Sequence, residues 1–219
     1  MTDEGGSATP VFGRRTVAEQ VAVGWAAPSQ EWVRAPLRGA ADARRVESFA
    51  PSRRQAFLTG RALLGLLGRE LFPGVNDWTP DTGPCPRCGA EHGPVEVHGV
   101  PAVASVAYTD GLVVTAVAST RIAIRLGVDV EVERPDPVRA ADLGALLGVP
   151  PAAALRRWTQ VEAVLKATGH GLRVDPGLVR FHRDAARVDG DAATYRVLDV
   201  GGPPGFAISL AWRPRLSGQ

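Results

Sequence analysis

The sequence predicts an α+β fold of two similar lobes, each a small, mainly antiparallel sheet with packed helices. Three observations lead there. Apolar residues switch repeatedly between period-two runs and helical spacing along the chain. The first half reads strand, helices, hairpin, and the second reads strand, helices, strands. The 219 residues suit two compact units of about 100 residues each. The lobes are expected over 11–120 and 121–219, behind a disordered tail at 1–10.

Each element has a local reason. Residues 17–25 alternate loosely and carry Val21 and Val23, which predicts a first strand. From Ala40 the spacing is helical as far as Phe49, and Pro51-Ser52 interrupts it. Ser52 is the expected N-cap of a second helix through Phe57, Leu58, Ala62, Leu63, Leu66 and Leu67, stopped by Pro73-Gly74. The Pro- and Gly-rich stretch 78–98 reads as irregular. Apolar runs at 103–108 and 112–118 flank Thr109-Asp110-Gly111, a hairpin signal.

In the second half, the β-branched alternation of 122–132 predicts a strand ended by Pro135 and Pro137. A short helix is expected at 140–147 and the strongest helix of this half at 151–169. Three short strands follow at 178–182, 195–199 and 206–212.

Composition excludes several classes. With 45% hydrophobic and 22% charged residues the chain is not disordered overall. It has no run of about 18 apolar residues to span a membrane, and its acidic, polar start is not a secretory signal. A cytoplasmic protein is expected. The net charge of +2 is too small for a dedicated nucleic-acid binder, and the arginines are spread along the chain rather than clustered with aromatics. Of the 25 basic residues, Lys166 is the sole lysine, so it is a candidate for chemistry that a permanently charged guanidinium cannot do.

In Gly127-Val128-Asp129-Val130-Glu131 the two carboxylates are two apart and share one strand face, with Val128, Val130 and Val132 on the other. Oxygen-only donors of this kind suit Mg²⁺, and a solvated strand face is the plain alternative. On the helix that follows, Glu162 and Lys166 are four apart and therefore neighbours. Their flanks Ala163, Val164, Leu165 and Ala167 are apolar, unlike those of a solvated helix. Glu162 could complete a three-carboxylate cation site with Asp129 and Glu131. Cys85-Pro86-Arg87-Cys88 with His92 and His98 could form a zinc knuckle, although two reduced thiols in a loop are the preferred reading. His170 and His182 have no clustering partner in the sequence.

Gly-Val-Asp-Val-Glu, followed about thirty residues later by Trp158-Thr159 and then Glu162-Ala163, Lys166-Ala167, Gly169 and Gly171-Leu172, resembles the paired signature of the Sfp-type 4′-phosphopantetheinyl transferases. The resemblance runs from about Arg44 to Trp212. It implies a monomer of two lobes related by pseudo-twofold symmetry, with coenzyme A and Mg²⁺ (Mn²⁺ as the alternative ion) in the cleft between them. It implies Asp129, Glu131 and Glu162 as metal ligands, with Glu162 or a water it holds as base. Lys166 would contact coenzyme A phosphate and assist proton transfer.

Arg53 and Arg61, eight apart and so on one helix face, resemble the paired arginines that hold the coenzyme A nucleotide. Arg54 and Arg69 are assigned to solvent. The hairpin segment with Tyr108 and Thr109 resembles the family's Ser-His-Ser/Thr segment, but Tyr108 stands where histidine is usual and Ala107 where serine is usual. Val161 and the His92-Gly93-Pro94 turn also lack the family's usual basic residues. The implied reaction transfers phosphopantetheine from coenzyme A to a serine of an apo acyl or peptidyl carrier protein, releasing 3′,5′-adenosine bisphosphate. The rival readings are a noncatalytic homologue that binds coenzyme A or a carrier protein, and, far below it, an Arg-rich nucleic-acid module. Neither nucleic acid nor a membrane is expected as a partner.

Overall fold

A computed structural model describes residues 12–18, 20–29, 37–134 and 136–215. The tail expected at 1–10 and the strand-ending Pro135 lie outside the described residues. The fold is α+β, with antiparallel sheets and four helices among the described residues. In chain order it runs β1 (Phe12–Ala18), β2 (Val21–Ala26), α1 (Ala40–Glu47), α2 (Pro51–Leu71), β3 (Thr79–Thr82), β4 (Val95–His98), β5 (Ala102–Thr109) and β6 (Leu112–Ser119). The second half is β7 (Ala123–Val132), α3 (Pro137–Leu147), α4 (Pro151–Thr168), β8 (Val179–His182), β9 (Ala185–Val188), β10 (Tyr195–Val200) and β11 (Phe206–Pro214).

One sheet has the order β1-β2-β6-β5 and the other β7-β11-β10-β9-β8, with β3 and β4 pairing separately. Strand β6 is an unbroken small and apolar run because it is central and buried on both faces. Gly111, at φ 79°, closes the two-residue turn that joins it to β5. One apolar cluster joins Val21, Val23, Val114 and Ala116 of the first sheet to Val128, Val130, Ile208 and Leu210 of the second. A second cluster packs Val161, Val164 and Leu165 of α4 onto Tyr195, Val197 and Ala211. Each such Val or Leu, fully buried, contributes about 1.5–3 kcal/mol.

Helix ends follow local chemistry. Asp136 caps α3 by accepting the Arg139 amide at 2.9 Å, and Gly148 ends that helix at φ 64°. Helix α4 starts at Pro151 and stops at Gly169, φ 82°. The first turn of α1 has no cap of its own; the Asp81 carboxylate of β3 accepts the Ala41 and Asp42 amides instead, at 3.2 and 2.8 Å. No single helix among the described residues is long and apolar enough to cross a membrane.

Several expectations are corrected. The single strand expected at 17–25 is two strands that reverse at Gln20, whose φ of 60° places it in the left-handed region. Ser52 is not a cap: α2 begins at Pro51 after Ala50, with no side-chain cap. The stretch 78–98 is not irregular throughout, because Thr79–Thr82 pairs with Val95–His98. Strand β9 (Ala185–Val188) lies between two of the expected strands; it buries Ala186 and Val188 in alternation, a run of four residues too short to stand out in the sequence.

Candidate active site

Strand β7 buries Val128 and Val130 in the shared core and turns Gly127, Asp129 and Glu131 the other way, towards α4. A Cβ at Gly127 would lie 2.1 Å from the Ala163 carbonyl oxygen and 2.6 Å from the Ala167 nitrogen. Helix backbone therefore rests directly on strand backbone, a contact only glycine allows. That seating brings Glu162 and Lys166 over the strand. One carboxylate oxygen from each of Asp129, Glu131 and Glu162 lies within 4.8 Å of the others. Asp129 is only 5% exposed, so this is not a solvated strand face.

The Lys166 ammonium donates to Asp129 Oδ1 at 2.5 Å and to the Val128 carbonyl at 3.2 Å. Its bonded carboxylate is thus across the helix–strand contact, rather than Glu162 one turn away on its own helix. Asp129 Oδ2 is buried and has no hydrogen-bond partner. Glu131 accepts from Arg139 at 2.9 Å. Burial pushes the Asp129 carboxyl above its usual pKa, against the pull of Lys166. Burial, and then the charge of Asp129, push Glu162 up as well. Three carboxylates with an orphaned buried oxygen form a donor set that fits a hard divalent cation such as Mg²⁺ or Mn²⁺.

Lys166 also lines a cavity of about 890 Å³, within the size of small-molecule sites. Its walls come from α1, α2, the β3–β4 hairpin and β5 on one side, and from Leu126, Lys166 and Arg173 on the other. Arg53, Arg61, Tyr108 and Thr109 all line it, whereas Asp129, Glu131 and Glu162 do not. Lys166 is the residue common to the acidic cluster and the cavity wall. Tyr108, which is 45% exposed, presents its ring there.

The two arginines expected to hold a nucleotide both line the cavity but are placed differently. Arg53 is exposed, with its guanidinium 4.7 Å from the Phe49 ring centre. Arg61 is buried and committed: its Nε and Nη2 hold both carboxylate oxygens of Asp42, and Nη2 also donates to Thr82 Oγ1 at 3.0 Å. What Arg61 offers the cavity is positive charge more than free donors. Sequence reasoning missed Arg45, which donates to Thr82 Oγ1 at 2.8 Å and lies 5.4 Å from the Phe49 ring centre. Burial, and then the charge of Arg61, pull its pKa below the usual guanidinium value. Nothing in Arg44-Arg45-Val46 distinguishes it; only the meeting of α1 and α2 does. Arg54 and Arg69 are exposed, as expected. Arg173 and His170, at the far end of α4, also face the cavity without having been expected there.

Cys85, Cys88 and His92 come together near the tip of the β3–β4 hairpin, and His98 is not part of the group. The amides of Arg87 and Cys88 lower the Cys85 thiol to about 7. No family model matches this chain, and no curated protein matches it significantly.

Proposed function

We propose that the chain is a magnesium-dependent 4′-phosphopantetheinyl transferase of the Sfp type, acting on coenzyme A and an apo acyl or peptidyl carrier protein. The observation that carries this reading is the convergence of Asp129, Glu131 and Glu162, with a buried, unpartnered Asp129 oxygen, joined through Lys166 to a cavity walled by arginine and phenylalanine. In this reading the halves 11–120 and 121–219 are pseudo-twofold lobes, the cavity is the cleft between them, and the protein works as a cytoplasmic monomer.

The chain's own residues divide the work. Asp129, Glu131 and Glu162 would hold the divalent cation, which when bound supplies charge neutralisation at the pyrophosphate. Arg45 and Arg53, beside Phe49 and Phe57, suit the phosphates and flat base of a nucleotide. Lys166 offers a compact ammonium at the cavity wall. Glu162, its proton affinity raised by burial and like charge, is suited to accept the proton of the attacking serine hydroxyl. The serine oxygen bonds to the β-phosphorus, the bond to the leaving adenosine bisphosphate breaks, and that product carries the charge away.

Intact-protein mass spectrometry of apo carrier proteins incubated with coenzyme A, Mg²⁺ and this protein tests the reading. The phosphopantetheine mass gain is expected with the native chain and absent with Asp129→Ala. Coenzyme A binding without any mass gain on acyl and peptidyl carriers would favour the noncatalytic reading instead. Tyr108 in place of histidine and the commitment of Arg61 to Asp42 are the features that give that alternative its weight.

A further inference from the structure

The loop between β3 and β4 contains an arrangement to which the proposed transfer gives no role. Cys85-Pro86-Arg87-Cys88-Gly89 folds as a tight turn in which the Gly89 amide donates to the Cys85 carbonyl at 2.9 Å, with Gly89 at φ 72°. The chain then doubles back: the Cys85 and His92 amides both donate to the Ala90 carbonyl, at 2.7 and 2.8 Å. That reversal lays the His92 ring against the thiols, with Nε2 3.1 Å from Cys88 Sγ.

We propose that Cys85, Cys88 and His92 bind a zinc ion. Zinc–sulfur bonds of about 2.3 Å and zinc–nitrogen bonds of about 2.0 Å at tetrahedral angles set donor atoms roughly 3.5–3.8 Å apart. The three donors here all lie within 4.8 Å of one another, the His92–Cys88 pair at 3.1 Å, so small side-chain rotations would bring them to that spacing. Two thiols and an imidazole form a soft donor set that selects zinc over the hard cations suited to the acidic cluster. A disulfide would have no use for the imidazole placed against the sulfurs.

Among the described residues no fourth side chain joins the group. Cys85 and His92 line the 890 Å³ cavity, so the fourth position falls to water or to a donor from that side. The ion would pin a loop closed at its base by the Gly83 amide to Pro94 carbonyl bond, 2.8 Å, and the Gly93 amide to Gly83 carbonyl bond, 2.9 Å. It would thereby fix the wall that faces Arg173, whose guanidinium is 3.9 Å from the Cys85 sulfur. The site is separate from the acidic cluster and does not depend on the reaction proposed for it.

The test is elemental analysis of the full chain after dialysis, together with the absorption spectrum of the cobalt-substituted protein. About one zinc per chain is expected, with cobalt giving intense tetrahedral visible bands and a thiolate-to-metal charge-transfer band. Cys88→Ser and His92→Ala, both at exposed or half-exposed positions, should reduce bound zinc to about a tenth or less, while Asp129→Asn retains it. The cobalt spectrum of the native chain reads ligand type even if a variant folds poorly. The proposal is overturned if both thiols titrate as free in excess zinc, if the anaerobically purified chain carries a Cys85–Cys88 disulfide, or if folded Cys88→Ser keeps its metal.

Discussion

Asp42, Arg61 and Thr82 form one charged cluster, and Asp129, Glu131, Glu162 and Lys166 form another, and they meet the cost of burial in opposite ways. In the first, Asp42 is fully buried and both its oxygens accept from Arg61, while Thr82 donates to it at 2.6 Å. The charges are matched and the donors spent. In the second, three carboxylates crowd together, and one buried oxygen bonds nothing. A satisfied cluster holds a fold together, whereas an unsatisfied one is held together by the fold and has interaction energy left to give a ligand.

Substitutions can break that distinction. The largest effect on stability should come from Asp42→Ala, which strands the Arg61 guanidinium in the interior. A loss of about 3–5 kcal/mol is expected. In a chain of this size that is roughly 6–20 °C in Tm by thermal unfolding. A change of under about 1 kcal/mol would mean that the network is not structural.

Next in size, and on activity alone, is Lys166→Arg. The larger, permanently charged guanidinium should pair poorly with Asp129 and the Val128 carbonyl, and transfer at saturating coenzyme A should fall about 100-fold with the fold intact. A fully active variant would show that only the charge at position 166 matters.

The smallest effect sharpens the comparison most, because it runs opposite to the usual direction for substitutions. Glu162 has a folded-state pKa above its ordinary carboxylate value, so the folded protein holds the neutral form more readily than the unfolded chain does. Its contribution is favourable below the ordinary carboxylate pKa and is lost as pH rises through the raised value. In EDTA at about pH 8, Glu162→Gln should therefore raise stability, a small upward shift in Tm. The gain should vanish near pH 4, and added Mg²⁺ should favour the native chain. Calorimetry across that range checks it, and a destabilised variant at pH 8 would place Glu162 among satisfied groups.

Much of this was legible before the structure. The period-two Asp129 and Glu131 and the apolar-flanked Glu162 and Lys166 are local patterns, and local patterns determine strand faces and helix faces. Partners chosen by packing were not legible. The sequence placed Lys166 beside Glu162, but the seating of α4 on β7 gave it Asp129. Arg61 looked like the twin of Arg53, yet a helix 19 residues upstream supplies the carboxylate that claims it. The pairing of Thr79–Thr82 with Val95–His98 was hidden because Pro80 and the glycines between the strands mimic an irregular loop.

Gly127 bears on how this site can vary over evolutionary time. Strand and helix touch there through main-chain atoms, so no rotamer sets the gap between Asp129 and Glu162. An alanine would have to widen a 2.1 Å approach to the 3.4 Å of ordinary contact, lifting Glu162 and Lys166 together. Repacking elsewhere cannot adjust that distance in small increments. The aperture between the acids is a property of the backbone, and it passes intact through sequence drift for as long as position 127 carries no side chain.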